Sequence, residues 1–111
     1  LILSKIKELN TQNLSVFFMG DFNSEPSSQR IVDLKKTMTD TQDMAAKGHF
    51  GPSGTFNGFK HEMPVTTLID YIFISQESSI KVIKHATLSD SIDLKYPSDH
   101  LPIYIEVLIS Q

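Results

Sequence analysis

Three observations predict a mixed α/β fold of the α+β type. The chain opens with Ile2, Ile6 and Leu9 at helical spacing and passes into "LSVFFMG", a short apolar run of strand formers. Its carboxyl half carries three more strand-like stretches, "TLIDYIFIS", "IKVIKHATLS" and "PIYIEVLIS", separated by polar connections that contain Ser78, Ser79, Asp90 and Ser91. Along the first of these, Ile69, Tyr71 and Phe73 fall on one side and Leu68, Asp70, Ile72 and Ile74 on the other, so both sides are apolar except at Asp70. A strand covered on both faces belongs inside a layered structure. At 111 residues, a single modest core is the ceiling, because a fold of that size hides only about 65% of its unfolded surface.

Taken in order, the opening "LILSKIKELN" lacks a capping residue or polar lead-in, so it reads as a helix entered partway with an upstream segment expected. It has neither the basic start nor the small-residue cleavage site of a signal peptide. "LSVFFMG" is bounded by Asn10 to Asn13 before it and closed by Gly20, as a buried strand would be. "NSEPSSQRIVDLKK" sets Ser24 and Glu25 ahead of Pro26, then Ile31 and Leu34 three apart, which suits a loop turning into a short helix. "DTQDMAAKG" adds a helical turn ending at Gly48. From His49 to Pro64, the positions of Gly51, Pro52, Gly54, Gly58 and Pro64 predict loop, with a brief strand at "GTFN". No repeat, low-complexity tract or second domain interrupts the chain.

Composition narrows the function. A hydrophobic fraction of 40% and a charged fraction of 21% are ordinary for a soluble globular protein, and no stretch approaches the roughly 18 apolar residues of a membrane span. Net charge is −3 and Arg30 is the only arginine, so the basic footprint of a duplex-binding module is absent. That balance tilts a nucleic-acid reading towards small or single-stranded substrates. The lack of cysteine excludes disulfides and thiolate metal sites and fits a cytoplasmic or a secreted protein equally.

Asp70 is the first candidate for chemistry, because an ionised carboxylate in an apolar strand costs several kcal/mol unless a partner offsets it. His100 is the best partner: an Asp that accepts from one ring nitrogen leaves the other directed at a ligand. The alternative is an Asp at a strand end that meets water or a backbone N–H. In "SDHLPI", Asp99 and His100 are neighbours and would face opposite ways on a regular strand. Pro97 and Pro102 make the backbone irregular there and put the pair at a loop mouth, although Ser-Asp before a strand is also plain turn chemistry. In "MGDFNSEP", extended backbone would set Asp21 and Asn23 on one face and Phe22 on the other, with Gly20 permitting a bend. An aspartate beside an asparagine suits phosphate chemistry with a hard cation, and equally suits a turn.

Together and in this order, "GDFNSEP", "GTFNGF", "IDYIF" and "SDHLPI" resemble the endonuclease/exonuclease/phosphatase superfamily of metal-dependent phosphoesterases. Its members include AP endonucleases, pancreatic-type deoxyribonucleases, inositol polyphosphate 5-phosphatases and deadenylases. The resemblance implies that residues 1–111 are the carboxyl-terminal half of a single domain, half of a four-layer α/β/β/α sandwich of mostly antiparallel strands with flanking helices. It implies that Asp21 positions or deprotonates the attacking water and Asn23 holds a phosphate oxygen. Asp70 would orient His100, His100 would contact the phosphoryl group, and Asp99, like Asp21, would serve a divalent metal, Mg2+ or Mn2+. Thr55 and Asn57 would line the substrate pocket. The main metal-binding Glu and an early Asn are expected upstream; neither Glu8 nor Glu25 is assigned to that role. The expected partners are a phosphorylated substrate and either the upstream half of the domain or a second copy of the chain.

Other readings compete. Ser98, His100 and Asp70 assemble a hydrolase triad on paper, but no G-x-S-x-G elbow is present and Ser98 lies two residues from the histidine. His49 and His61 form a conceivable metal pair without a clear third ligand; loop histidines are more often solvated, as is expected of His85 beside Lys84. A binding or scaffold module that keeps the fold without hydrolysis is the alternative from another class.

Overall fold

The computed structural model describes residues 1–76 and 78–110. Helix α1 (Ile2–Leu9) leads to strand β1 (Phe17–Asp21), helix α2 (Gln29–Leu34), strand β2 (Met38–Asp40), the single turn α3 (Thr41–Met44) and a two-residue strand β3 (His49–Phe50). Strands β4 (Asp70–Ser75), β5 (Ile80–Thr87) and β6 (Ile103–Ile109) complete the order. Two three-stranded sheets result, β1-β4-β2 and β3-β5-β6. Every pairing is antiparallel except β3 with β5, so the fold is mixed α/β with mostly antiparallel strands.

The expectation that one strand would be covered on both faces describes β4. Tyr71 to Ile74 are all buried. Tyr71 and Phe73 turn to one side and form a core with Ile31 and Leu34 of α2 and Met38 of β2, joined by Phe18 and Phe22. Ile74 turns the other way and meets Ile80 and Val82 of β5. The layers are therefore α2, the first sheet and the second sheet. Asp70 lies on the side of Ile72 and Ile74, facing the junction between the two sheets.

Five features depart from the sequence reading, the first being β1, expected to be buried, whose Phe17 and Met19 are exposed. Strand β2 forms where no strand was expected, because Met38 to Asp40 pair with Ser75 to Phe73 and bury Met38. Loop residues His49 and Phe50 form β3 by pairing parallel with His85 and Ala86. The apolar stripe of α1 is not buried: Ile2 and Leu9 are exposed, while Leu3 and Ile6 border a groove of about 420 Å³ shared with Leu14, Val16 and Met38. "GTFN" contributes bridges at Phe56 alone, to Thr67 and to His100, rather than a strand.

Candidate active site

Asp21 ends β1 and Asp70 begins β4, and antiparallel register makes them direct partners across the pair. Like charges so placed repel, and the imidazole of His100 lies against both. Its Nδ1 is 2.8 Å from Asp70 Oδ2 and its Nε2 is 3.8 Å from Asp21 Oδ2. A carboxylate only accepts, so Nδ1–H donates to Asp70. The Nε2 distance is too long for a hydrogen bond. The hydrogen bond to Asp70 raises the His100 pKa above its ordinary value against the opposing effect of burial, and the charges of Asp70, Asp21 and Asp99 add to it.

His100 reaches this position because the chain is bent from Pro97 to Asp99 and then bonded on both sides to the segment around Thr55. Leu101 N–H donates to the Thr55 carbonyl at 2.7 Å, and Asn57 N–H donates to the Asp99 carbonyl at 2.8 Å. His100 N–H donates to Ser98 Oγ at 3.1 Å. That serine hydroxyl serves the histidine backbone and makes no bond to the ring, which removes the triad reading.

The "GDFN" segment forms a turn rather than continuing extended. Asp21 Oδ1 accepts from Asn23 N–H at 2.8 Å, and Asn23 takes a left-handed φ of 48°, a conformation asparagine tolerates better than most residues. Phe22 turns inward and stacks on Phe73 with ring centroids 5.6 Å apart. Tyr71 locks the following residues, its hydroxyl donating to the Ser24 carbonyl at 2.8 Å. Burial pushes the Tyr71 hydroxyl up, so it stays a donor. Asp21, Asn23, Glu25, Phe56 and His100 then line an open cleft of about 580 Å³. A larger hollow of about 720 Å³ runs along Leu1 to Leu3 and β1 and contains no histidine.

Asp21, Asn23, Asp70 and His100 thus meet at one place. Thr55 and Asn57 do not line the cleft as expected, and the reason is hydrogen bonding. Thr55 is 0% exposed, and its hydroxyl donates to Asp70 Oδ2 at 2.7 Å. Asn57 is buried, donating from Nδ2 to the Ser98 carbonyl and accepting from Phe59 N–H. Both brace the loops beneath the site. Asp99 is half-buried and its charge reaches His100, but the group of mutually close ligand atoms, within 4.8 Å, is Asp21, Asp70 and His100. His49 and His61 form no pair: His49 Nδ1 lies 2.8 Å from His85 Nδ1, while His61 faces Ser91. His85 is buried at 2% exposure, not solvated. The bracing roles of Thr55 and Tyr71 escaped the sequence reading, since a threonine in a glycine-rich loop and a tyrosine in a strand look like loop and core.

The sequence profile of the Endonuclease/Exonuclease/phosphatase family matches residues 2–100. No curated protein matches the chain. Among solved structures, a functionally unknown conserved protein from Enterococcus faecalis is 34% identical with a TM-score of 0.82, over 98% of this chain and 43% of its own. A mannosyl-6-phosphatase from Bacteroides thetaiotaomicron is 28% identical with a TM-score of 0.84, over 97% of this chain and 43% of its own. A protein described as an endonuclease/exonuclease/phosphatase family member from the same organism is 28% identical with a TM-score of 0.85, over 98% and 42%. This chain therefore spans less than half the length of the structures it resembles. The profile match over nearly its whole extent, with the fold that goes with it, shows that the chain belongs to the endonuclease/exonuclease/phosphatase family.

Proposed function

We propose that this chain is the carboxyl-terminal half of a metal-dependent phosphoesterase domain. The observation that carries the reading is the Asp70–His100–Asp21 arrangement at the edge of the cleft. Asp70 holds Nδ1–H of His100, which directs Nε2 to the phosphoryl group and suits it to donate to a phosphoryl oxygen. Asp21 keeps Oδ2 free to orient the attacking water and accept its proton, as general-base catalysis requires. Asn23, turned into the cleft, holds a phosphate oxygen through its amide.

The donor set fits a hard divalent cation. Asp21, Asp99 and the side-chain carbonyl of Asn23 offer oxygen atoms, the ligand type of Mg2+ and Mn2+. Asp70 Oδ2 accepts from Thr55 and His100, which leaves its Oδ1 as the oxygen it could offer. When bound, the ion polarises a phosphoryl oxygen and stabilises charge on the leaving oxygen. The main acidic ligand is assigned to the upstream half of the domain, with which the exposed side of β1, carrying Phe17 and Met19, would pack. No helix among the described residues is long and apolar enough to cross a membrane.

The test is hydrolysis of a phosphodiester, a simple phosphomonoester and a sugar 6-phosphate, the last chosen because of the mannosyl-6-phosphatase likeness. Each is assayed with magnesium, with manganese and with chelator, using this chain alone and then joined to an upstream half. Metal-dependent turnover in the joined form that is lost in His100→Ala is the expected result. A joined, folded form without turnover on any of the three would favour the scaffold reading instead.

A further inference from the structure

Asp70 starts a strand of the first sheet and His100 leads into a strand of the second, so their bond spans two separately built elements. One residue touches both. The Thr55 hydroxyl accepts the N–H groups of Ile69 and Asp70, each at 3.2 Å, which leaves its single hydrogen to be donated to Asp70 Oδ2 at 2.7 Å. That is the same oxygen to which His100 donates. The Thr55 backbone carbonyl accepts from Leu101 N–H at 2.7 Å, next to His100, and its own N–H donates to Thr67. The close approach of this loop to residues 66 and 67 is made possible by Gly54, where a Cβ would stand 2.5 Å from the backbone of Thr66 and Thr67.

We propose that Thr55 is a positioning residue for the Asp70–His100 pair, its hydroxyl fixing Asp70 Oδ2 and its carbonyl fixing the backbone N–H of Leu101, the residue after His100. Thr55 is wholly buried and touches no substrate. With the hydroxyl gone, the Asp70 carboxylate is free to rotate about its terminal torsion, which is broad and shallow, and Nδ1–H of His100 loses a fixed acceptor. Partners that orient a ligating or catalytic histidine through its second nitrogen commonly change activity about 10- to 100-fold when removed.

This inference rests on the phosphoesterase reading only for its activity arm. The experiment compares Thr55→Val, which keeps the shape and loses the hydroxyl, with Thr55→Ser, which keeps the hydroxyl, in the form that contains both halves of the domain. Thr55→Val is expected to lower kcat about 10- to 100-fold with KM little changed, and Thr55→Ser to restore most of it. In proton NMR at one fixed pH, with chelator, the downfield Nδ1–H resonance of His100 is expected in the unsubstituted protein and in Thr55→Ser, and is expected to broaden or vanish in Thr55→Val. A Thr55→Val protein with unchanged kcat and an intact resonance overturns the proposal, and so does a Thr55→Ser protein as impaired as Thr55→Val. Should Thr55→Val not fold, the unsubstituted protein decides: a slowly exchanging Thr55 hydroxyl proton supports the proposal and a freely exchanging one overturns it. If no substrate is turned over at all, the phosphoesterase reading fails while the NMR arms still judge Thr55.

Discussion

Acidification is expected to weaken the fold through buried His85 and its partner His49, and the structure sets the size of the effect. His49 Nε2 is 2.8 Å from the Pro52 carbonyl, which accepts only, so Nε2 carries the proton. The Nδ1 of neutral His49 is then bare and accepts from Nδ1–H of His85 at 2.8 Å. A proton added to His85 would charge a ring that is 2% exposed. Burial first, then the charge of His49, push the His85 pKa down from 6.5 to about 4, with Asp43 opposing. A base whose folded pKa is depressed contributes its full stability above 6.5 and loses it as pH falls towards 4. That interval, at about 1.4 kcal/mol per pH unit, corresponds to about 3 kcal/mol. The assay is urea unfolding between pH 7.5 and 4, on the chain and on His85→Gln. Asp33, held low by Gln29 and Lys36, loses its partners below this window; Asp40, held high by burial, acts in the opposite sense and is common to both proteins. Parallel curves for the two proteins from pH 6.5 to 4 would refute the reasoning.

Three other outcomes are expected. His100→Ala in an intact domain should lower kcat about 10²- to 10⁴-fold, the usual range for one acid/base partner, and a near-normal turnover number in steady-state kinetics would contradict its role. Asp70→Asn should lower the titration midpoint of His100 measured by NMR with chelator, because the hydrogen bond to Asp70 is the largest influence raising it. Gly54→Ala should destabilise by about 1–3 kcal/mol in urea melts, since a methyl group there would overlap the backbone of Thr66 and Thr67.

The strands that carry the core were legible because their side chains obey a simple alternation. β4 read as two-faced, and the one polar residue facing the second sheet, Asp70, pointed to a partner. The prolines at 97 and 102 marked the bend that holds His100, since proline cannot take part in a ladder as donor. Helix α2 was legible from Ile31 and Leu34, which are buried. Strands β2 and β3 were not, because two or three residues have no periodicity of their own and become strands only by meeting β4 and β5. Thr55 was expected to line the pocket, yet its side chain is buried against Asp70: its motif marks the loop, while its burial depends on where residues 65–70 and 101 fold. The His49–His85 pair was missed for the same reason, as the two positions are 36 residues apart.

The bond between Asp70 and His100 joins the end of one sheet to the mouth of the other, while Ile74 of the first sheet packs on Ile80 and Val82 of the second. It works as a gauge of how well the two sheets are aligned. A relative slip of about 1 Å would leave both ladders intact and separate the imidazole from its acceptor, a misplacement that can cost about 100-fold in rate. Under mild denaturant or gentle heating, the turnover proposed for the joined domain should therefore vanish while the circular dichroism of the strands is still unchanged.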